Sequence, residues 1–235
     1  MTILWRIFRV FIAILLLPFC VGAAIALYQV ILETDSAQMI WATTLGGALF
    51  WVLIYIFLPE PKWLYVLGHE LTHAVWSIGF GGKLKKMNVS SEGGHVLTTK
   101  SNFLTSLAPY FFPLYVVLVI IVFNLGNYFW DWHKYVLVFY FLIGMLYAFH
   151  VTLTCSTLKT KQPDLAQEGY IFSAVIIFLG NLLILLVGIP FLTNKINVSA
   201  SLDLWIKESL GIYNYFYFFA SHSGSWRTKS LDLFL

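Results

Sequence analysis

Residues 10–32 decide the fold class, because they read VFIAILLLPFCVGAAIALYQVIL without one charged side chain. At ~1.5 Å of rise per helical residue, this stretch can cross the ~30 Å hydrocarbon core of a bilayer. Backbone polar groups find no water in lipid and must be hydrogen-bonded within the segment, so we predict a spanning helix. Arg6 and Arg9 precede it, as in a signal peptide. The apolar stretch, however, exceeds the roughly 7–15 residues of a signal core, and we expect the helix to be retained.

Four further uncharged stretches are long enough to span a bilayer. Hydrophobic residues make up 60% of the 235 residues and charged residues only 11%, whereas a soluble domain has a charged share of about 25%. The composition therefore excludes an ordinary soluble domain. It predicts an all-α polytopic membrane protein with about six transmembrane or membrane-embedded helices. The four further stretches are residues 39–58, 103–123, 135–158 and 170–192.

The remaining helix is predicted at residues 63–80, an apolar segment that carries three ionisable side chains. Residues 84–89 and 95–99, which follow it, are compatible with β-strands and enclose the turn-like sequence SSEGG. We therefore expect a small β-hairpin directly after the helix. Pro109 and Pro113 should kink the 103–123 stretch, because proline lacks the backbone donor that a regular helix needs.

This pattern divides the chain into three parts. Residues 1–58 are expected to form an N-terminal transmembrane helix pair. Residues 59–193 are expected to form the core, which contains the ionisable cluster of residues 63–80. Residues 194–235 form a C-terminal tail that mixes an amphipathic stretch with an aromatic run. Such a tail suits the membrane interface, and a further span in it remains an open alternative.

Charge placement predicts the orientation. The net charge of +3 is small and gives no ground for a nucleic-acid partner. Lysine and arginine near helix ends favour the cytoplasmic side. The N-terminus, the hairpin and the loop with Lys159 and Lys161 are the basic segments, whereas Glu33 and Asp35 occupy the first loop without a basic neighbour. We expect an integral membrane protein in which the ionisable cluster of residues 63–80 lies near the cytoplasmic face.

The residues that point to chemistry are His69-Glu70-Leu71-Thr72-His73, an H-E-x-x-H sequence. Positions i and i+4 share a helix face, so both imidazoles can bind one zinc ion. Glu70 projects beside that face and can act as a general base. Three ionisable side chains within five residues of an apolar helix cost several kcal/mol unless they are functional. The alternative, a polar patch at the membrane surface, is the weaker interpretation.

A catalytic zinc site needs a third protein ligand and an open position for water. Asp164 starts the last strong span on the side to which the lysines assign the motif, which favours it. Its own alternative role is to interact with the helix N-terminus. His150, about two turns inside its helix, is the other option and would place the metal deeper. All candidates are His95, His133, His150, Asp164, Glu168 and His222.

The sequence resembles the site-2 protease-like intramembrane zinc metallopeptidases, in particular their short bacterial-type members. The resemblance rests on GHELTHA at residues 68–74, the Gly-rich hairpin, APY at residues 108–110, and Pro163-Asp164. It implies zinc bound by His69, His73 and Asp164, in a protein of a bacterial inner membrane. It also implies Glu70 as the general base and a hairpin that offers an edge strand to an extended substrate. Much of the family has glycine directly after the aspartate, whereas this chain has Leu165.

The predicted function is hydrolysis of peptide bonds in membrane-embedded or membrane-adjacent substrates. The partners are then a membrane protein or peptide and the lipid bilayer, with an unspecified oligomeric state. A zinc-binding, catalytically inactive membrane scaffold is the alternative. A second class of membrane zinc protease takes a glutamate as third ligand, with Asp or Asn four residues later. Glu168 is followed there by Phe172, which argues against that class.

Overall fold

The chain folds as an all-α polytopic membrane protein, as predicted. The computed structural model describes residues 3–90 and 93–231, without the side chains of 216, 220 and 222–231. Four helical segments in this part are long and apolar enough to cross a bilayer, and a bent pair would add a fifth. Their outer surfaces carry many exposed large apolar side chains, which in a membrane face lipid. The four are α1 (Ile3–Glu33), α2 (Gln38–Phe57), α6 (Val136–Leu158) with the 3-10 turn before it, and α8 (Tyr170–Thr193).

The kink predicted at Pro109 and Pro113 is confirmed. Helix α4 (Phe103–Leu107) continues into a 3-10 turn, and α5 (Leu114–Trp130) then leaves at an angle of 81°. Proline cannot donate the backbone hydrogen bond that would carry one helix through this region. The break keeps the 3-10 turn deep in the protein, where Tyr110 is fully buried.

The H-E-x-x-H sequence lies on α3 (Lys62–Gly79), and the hairpin that follows is confirmed as β1 (Leu84–Ser90) and β2 (Gly93–Thr98). The strands are antiparallel, with an irregular register between Leu84 and Lys86. Two residues of the predicted SSEGG turn, 91 and 92, lie outside the described residues. Both strands pack against α3, so the hairpin borders the motif helix.

Glycines let α2 and α6 pack unusually closely. A Cβ atom on Gly47 would lie 1.9 Å from the Phe141 carbonyl oxygen, and one on Gly144 would lie 1.8 Å from that of Thr44. Small residues at such contacts are typical of membrane helices, whose backbones approach each other to gain packing and polar contacts. Beneath α3, the buried side chains of Trp51, Tyr65, Phe149 and Leu153 pack together and connect α2, α3 and α6.

Both ends of the described chain form long helices. Helix α1 begins at Ile3, so Arg6 and Arg9 belong to the helix and do not precede it. The C-terminal segment forms one long helix, α9 (Val198–Leu231), which packs along α1 and α8. The indole of Trp205 donates a hydrogen bond to the Phe19 carbonyl at 3.0 Å. These contacts join the N-terminal and C-terminal helices side by side.

Candidate metal centre

Helix α3 carries His69 and His73 on one face, as the i, i+4 spacing predicts. Their ring centroids are 4.9 Å apart. Glu70 is 6% exposed and lies beside them on the same turn. The helix also needs a glycine before the motif, because a Cβ atom on Gly68 would lie 2.6 Å from the ring of Tyr115. This close contact holds the motif helix against α5.

Asp164 approaches these histidines from a different part of the chain. It lies in the first turn of the short helix α7 (Pro163–Glu168), directly before α8. Its Oδ2 atom is 3.6 Å from His69 Nε2 and 3.5 Å from His73 Nε2. Helix α7 therefore places a carboxylate next to the face of α3 that carries both imidazoles.

The three donors fit a zinc ion in kind and in spacing. Ligand atoms ~2.0–2.1 Å from a tetrahedral ion are separated from one another by about 3.3 Å. The two measured nitrogen–oxygen distances, 3.5 and 3.6 Å, are close to that value. One candidate ligand atom from each of the three residues lies within 4.8 Å of the others. Two imidazoles and a carboxylate leave a fourth position for water or substrate.

His73 is held in the orientation that a ligand needs. Its Nδ1 atom lies 2.7 Å from the Thr105 carbonyl oxygen. A protonated Nδ1 donates to that carbonyl and leaves the Nε2 lone pair directed toward Asp164. Thr105 is itself fixed, because its backbone N–H donates to the side chain of Asn102, the residue that caps α4. Sequence analysis missed this support, although an asparagine before an apolar helix is a recognisable capping signal.

Asp164 is fixed by Tyr110, a residue to which sequence analysis assigned no role. The buried phenol donates a hydrogen bond to Asp164 Oδ2 at 3.1 Å. Asn181 on α8 donates to the Tyr110 carbonyl at 3.1 Å and so holds the 3-10 turn in place. Gln162, two residues before Asp164, donates to the Thr157 carbonyl and the Thr160 hydroxyl.

Electrostatics favour the charged carboxylate. Burial by itself would raise the pKa of Asp164, but hydrogen bonds and charge interactions with the two imidazoles outweigh it. The resulting pKa lies below the ordinary value of an aspartate. Asp164 is therefore an anion at neutral pH, which is the form that binds a divalent cation.

The end of α7 is tied to the N-terminal helix. Arg9 forms an ion pair with Glu168 at 2.5 Å, and Glu168 is 3% exposed. The same guanidinium donates to the carbonyl oxygens of Gln167 and Glu168 at 3.1 and 2.9 Å. It thereby occupies the C-terminal end of the helix that carries Asp164. Glu168 is engaged in this ion pair and is not part of the donor cluster.

The other predicted candidates lie elsewhere. His95 is exposed on β2, and His133 lies in the 3-10 turn before α6. His150 is buried and lines the same small pocket as His69, but it does not join the donor group. The side chain of His222 lies outside the described residues. Within the part of the chain that the structure describes, the only such group of three donors is His69, His73 and Asp164.

A pocket of about 620 Å³ opens beside the cluster and contains the side chains of His69 and Glu70 in its lining. Hairpin residues Gly93 and Gly94 form one wall, and the end of α6 with the following loop forms another. The hairpin approaches closely, because a Cβ atom on Gly94 would lie 2.7 Å from Glu70 Cγ. Glu70 therefore faces a space large enough for a ligand, next to the three donors.

Comparison with known proteins identifies the family. The model of the Peptidase M50B-like family matches residues 41–160, just over half of the chain. The matched region contains the H-E-x-x-H sequence and ends before Asp164. Searches of curated proteins and of solved structures found no match. The expected membership of the site-2 protease family is confirmed, and this polytopic membrane protein belongs to the Peptidase M50B-like family.

Proposed function

We propose that the protein is a zinc metalloendopeptidase that cleaves membrane-embedded or membrane-adjacent substrates. His69, His73 and Asp164 are the proposed zinc ligands, and Glu70 is the proposed general base. The observation that carries the proposal is the convergence of three donor atoms from α3 and α7 at zinc-like spacing. The peptidase family of the chain supports the same reaction class.

The chemistry follows from what the side chains can do. A bound zinc ion would supply a Lewis acid that polarises the scissile carbonyl and makes water more acidic. Glu70 accepts a proton from the attacking water and then donates it to the leaving amine. Glu70 is suited to this proton transfer, because it lines the pocket and forms no salt bridge within the described residues. His69 and His73 keep their Nε2 atoms on the metal side.

The pocket suggests how a substrate is held. A peptide bond inside a helix is shielded by its own hydrogen bonds, so the substrate must be locally extended before cleavage. The hairpin strands pair only with each other in the described part of the chain, and each leaves an edge for another strand. Pairing with such an edge would replace the hydrogen bonds that the substrate loses on unwinding. Because β2 packs near Glu70, a paired peptide would run past the proposed base.

Purified full-length protein, loaded with zinc, provides the decisive test with a transmembrane-helix peptide as substrate. Glu70→Gln should retain stoichiometric zinc and lose turnover by about 10²–10⁴-fold, since only the base is removed. His69→Ala and His73→Ala should lose zinc as well as activity. Cleavage by Glu70→Gln at the wild-type rate would remove Glu70 from the mechanism. Zinc binding without cleavage of any membrane peptide would favour the inactive scaffold.

We further propose that the site is reached from the cytoplasmic side of a bacterial inner membrane. Two of the three basic segments, the hairpin and the loop after α6, contribute residues to the pocket that contains Glu70. Because basic loops remain cytoplasmic, this shared location supports the orientation. Cysteine labelling at Ser36 and Thr160 in a Cys-free background tests it. Thr160 should react only from inside and Ser36 only from outside, and the reverse pattern would overturn the orientation.

A further inference from the structure

His150 is a buried ionisable residue that the proposed mechanism does not use. It lies on α6, is 8% exposed, and its Nε2 atom is buried without a protein hydrogen-bond partner among the described residues. The Nδ1 atom of His69 is in the same situation. Both residues line one small pocket of about 20 Å³, and Asp164 approaches His69 at the other ring nitrogen, Nε2.

Two residues of one pocket thus each have a buried ring nitrogen without a hydrogen-bond partner, which needs a physical explanation. A buried polar group that makes no hydrogen bond costs about 1–3 kcal/mol, and native proteins rarely leave them so. The other polar side chains of the pocket already have acceptors. Tyr65 donates to the Thr154 hydroxyl, Thr72 to the Gly68 carbonyl and Tyr115 to the Leu64 carbonyl. The remaining walls include Pro109, Phe112, Leu114 and Phe149, which have no polar side-chain atoms.

Tautomer chemistry defines what the pocket must contain. As a zinc ligand, His69 uses the Nε2 lone pair, so its proton is on Nδ1, which becomes a buried donor that needs an acceptor. A neutral His150 with its proton on Nδ1 presents Nε2 as an acceptor. Between a donor and an acceptor, one water molecule can accept from the first and donate to the second. A pocket of about 20 Å³ has room for one water, which needs ~10–15 Å³.

We propose that His150 is a positioning residue that orients His69 through a single buried water. This inference rests on the proposed zinc centre and adds a residue to it. Each zinc-binding histidine then has its Nδ1 proton held: His73 directly by the Thr105 carbonyl at 2.7 Å, and His69 through water by His150. The water fixes the tautomer and the ring orientation of His69, so its Nε2 lone pair stays directed at the metal.

The test measures zinc affinity of the purified full-length protein by competition with a chelator, with no need for a substrate. His150→Leu has a similar size but lacks the acceptor. It should weaken zinc binding about tenfold, as is usual when a metal-binding histidine loses the partner of its other ring nitrogen. His150→Gln can still accept from the water and should stay within about threefold of wild type. Phe149→Leu, the matched control, alters packing in the same pocket but no hydrogen bond, and should leave the affinity unchanged.

Each result bears on the proposal. Unchanged zinc affinity in His150→Leu would overturn the water bridge while leaving the zinc centre intact. Equal weakening in all three variants would reduce His150 to a packing residue and also overturn it. A wild-type protein that binds no zinc would overturn the proposed centre and the bridge together. An experimental structure of the zinc-loaded protein should show one ordered water within about 3.2 Å of both nitrogens.

Discussion

The Tyr110 phenol donates a hydrogen bond at 3.1 Å to Asp164 Oδ2, the same oxygen that lies 3.5–3.6 Å from the Nε2 atoms of His69 and His73. One carboxylate oxygen of the short helix α7 thus lies close to side chains from both the 3-10 turn and the motif helix α3. Its position depends on all three elements. Tyr110 is fully buried, so the phenol has little room to turn away.

Tyr110→Phe should weaken zinc binding about tenfold, because it removes the hydrogen bond that fixes the Asp164 carboxylate and leaves the ring in place. Affinity by chelator competition is the measurement. Tyr140→Phe is the matched control, since that phenol donates to the Leu192 carbonyl, away from the cluster. Equal affinity of Tyr110→Phe and wild type would show that the carboxylate needs no such support.

Asp164→Asn should cause a much larger loss of zinc than any change at His150. The amide keeps the size of the side chain but lacks the negative charge that binds a divalent ion. Asp203→Asn, the same change at an exposed position on α9, should have no effect. If His150→Ala lost zinc while Asp164→Asn retained it, the third ligand would be His150 and the proposed site would move.

Gly94→Ala should reduce peptide cleavage at least tenfold while zinc content stays normal. The added methyl group would lie 2.7 Å from Glu70 Cγ and 2.9 Å from Val66 Cγ1, so the proposed base has to shift. A displacement of about 1 Å can cost ~10²-fold in rate. Gly46→Ala, where the methyl group meets open space, should retain full activity. Full activity of Gly94→Ala would mean that the hairpin does not position Glu70.

Arg9→Gln should lower the unfolding temperature in detergent by several degrees, because it leaves the buried Glu168 carboxylate without its ion-pair partner. Breaking a buried pair on one side costs about 3 kcal/mol. Arg9→Gln combined with Glu168→Gln should recover part of the loss, since no buried charge then remains. Arg6→Gln, an exposed position on the same helix, is the control. Equal unfolding temperatures of Arg9→Gln and Arg6→Gln would exclude the ion pair as a stabilising contact.

Much of the fold was predictable from the chain alone, because in lipid the length of an apolar run and the need for internal hydrogen bonds leave few alternatives. Residues 39–58 and 170–192 were predicted as helices and form Gln38–Phe57 and Tyr170–Thr193. The hairpin and the proline break were predicted for equally local reasons. Arg6 and Arg9 were expected ahead of the first span but lie within α1, because a charged side chain ends an apolar run without ending a helix.

What the sequence by itself determined is the membrane architecture and the pair of imidazoles on one helix face, since both depend on spacing within a single segment. Only the tertiary structure decided which distant side chains meet them. Asp164 lies near the histidines because the short helix α7 follows α6 and packs against α4 and α8. Arg9, from the N-terminal helix, binds the end of α7. Tyr110, Thr105 and His150 acquire their surroundings in the same way. Contacts between segments far apart in sequence leave no periodic signal, so only packing could reveal them.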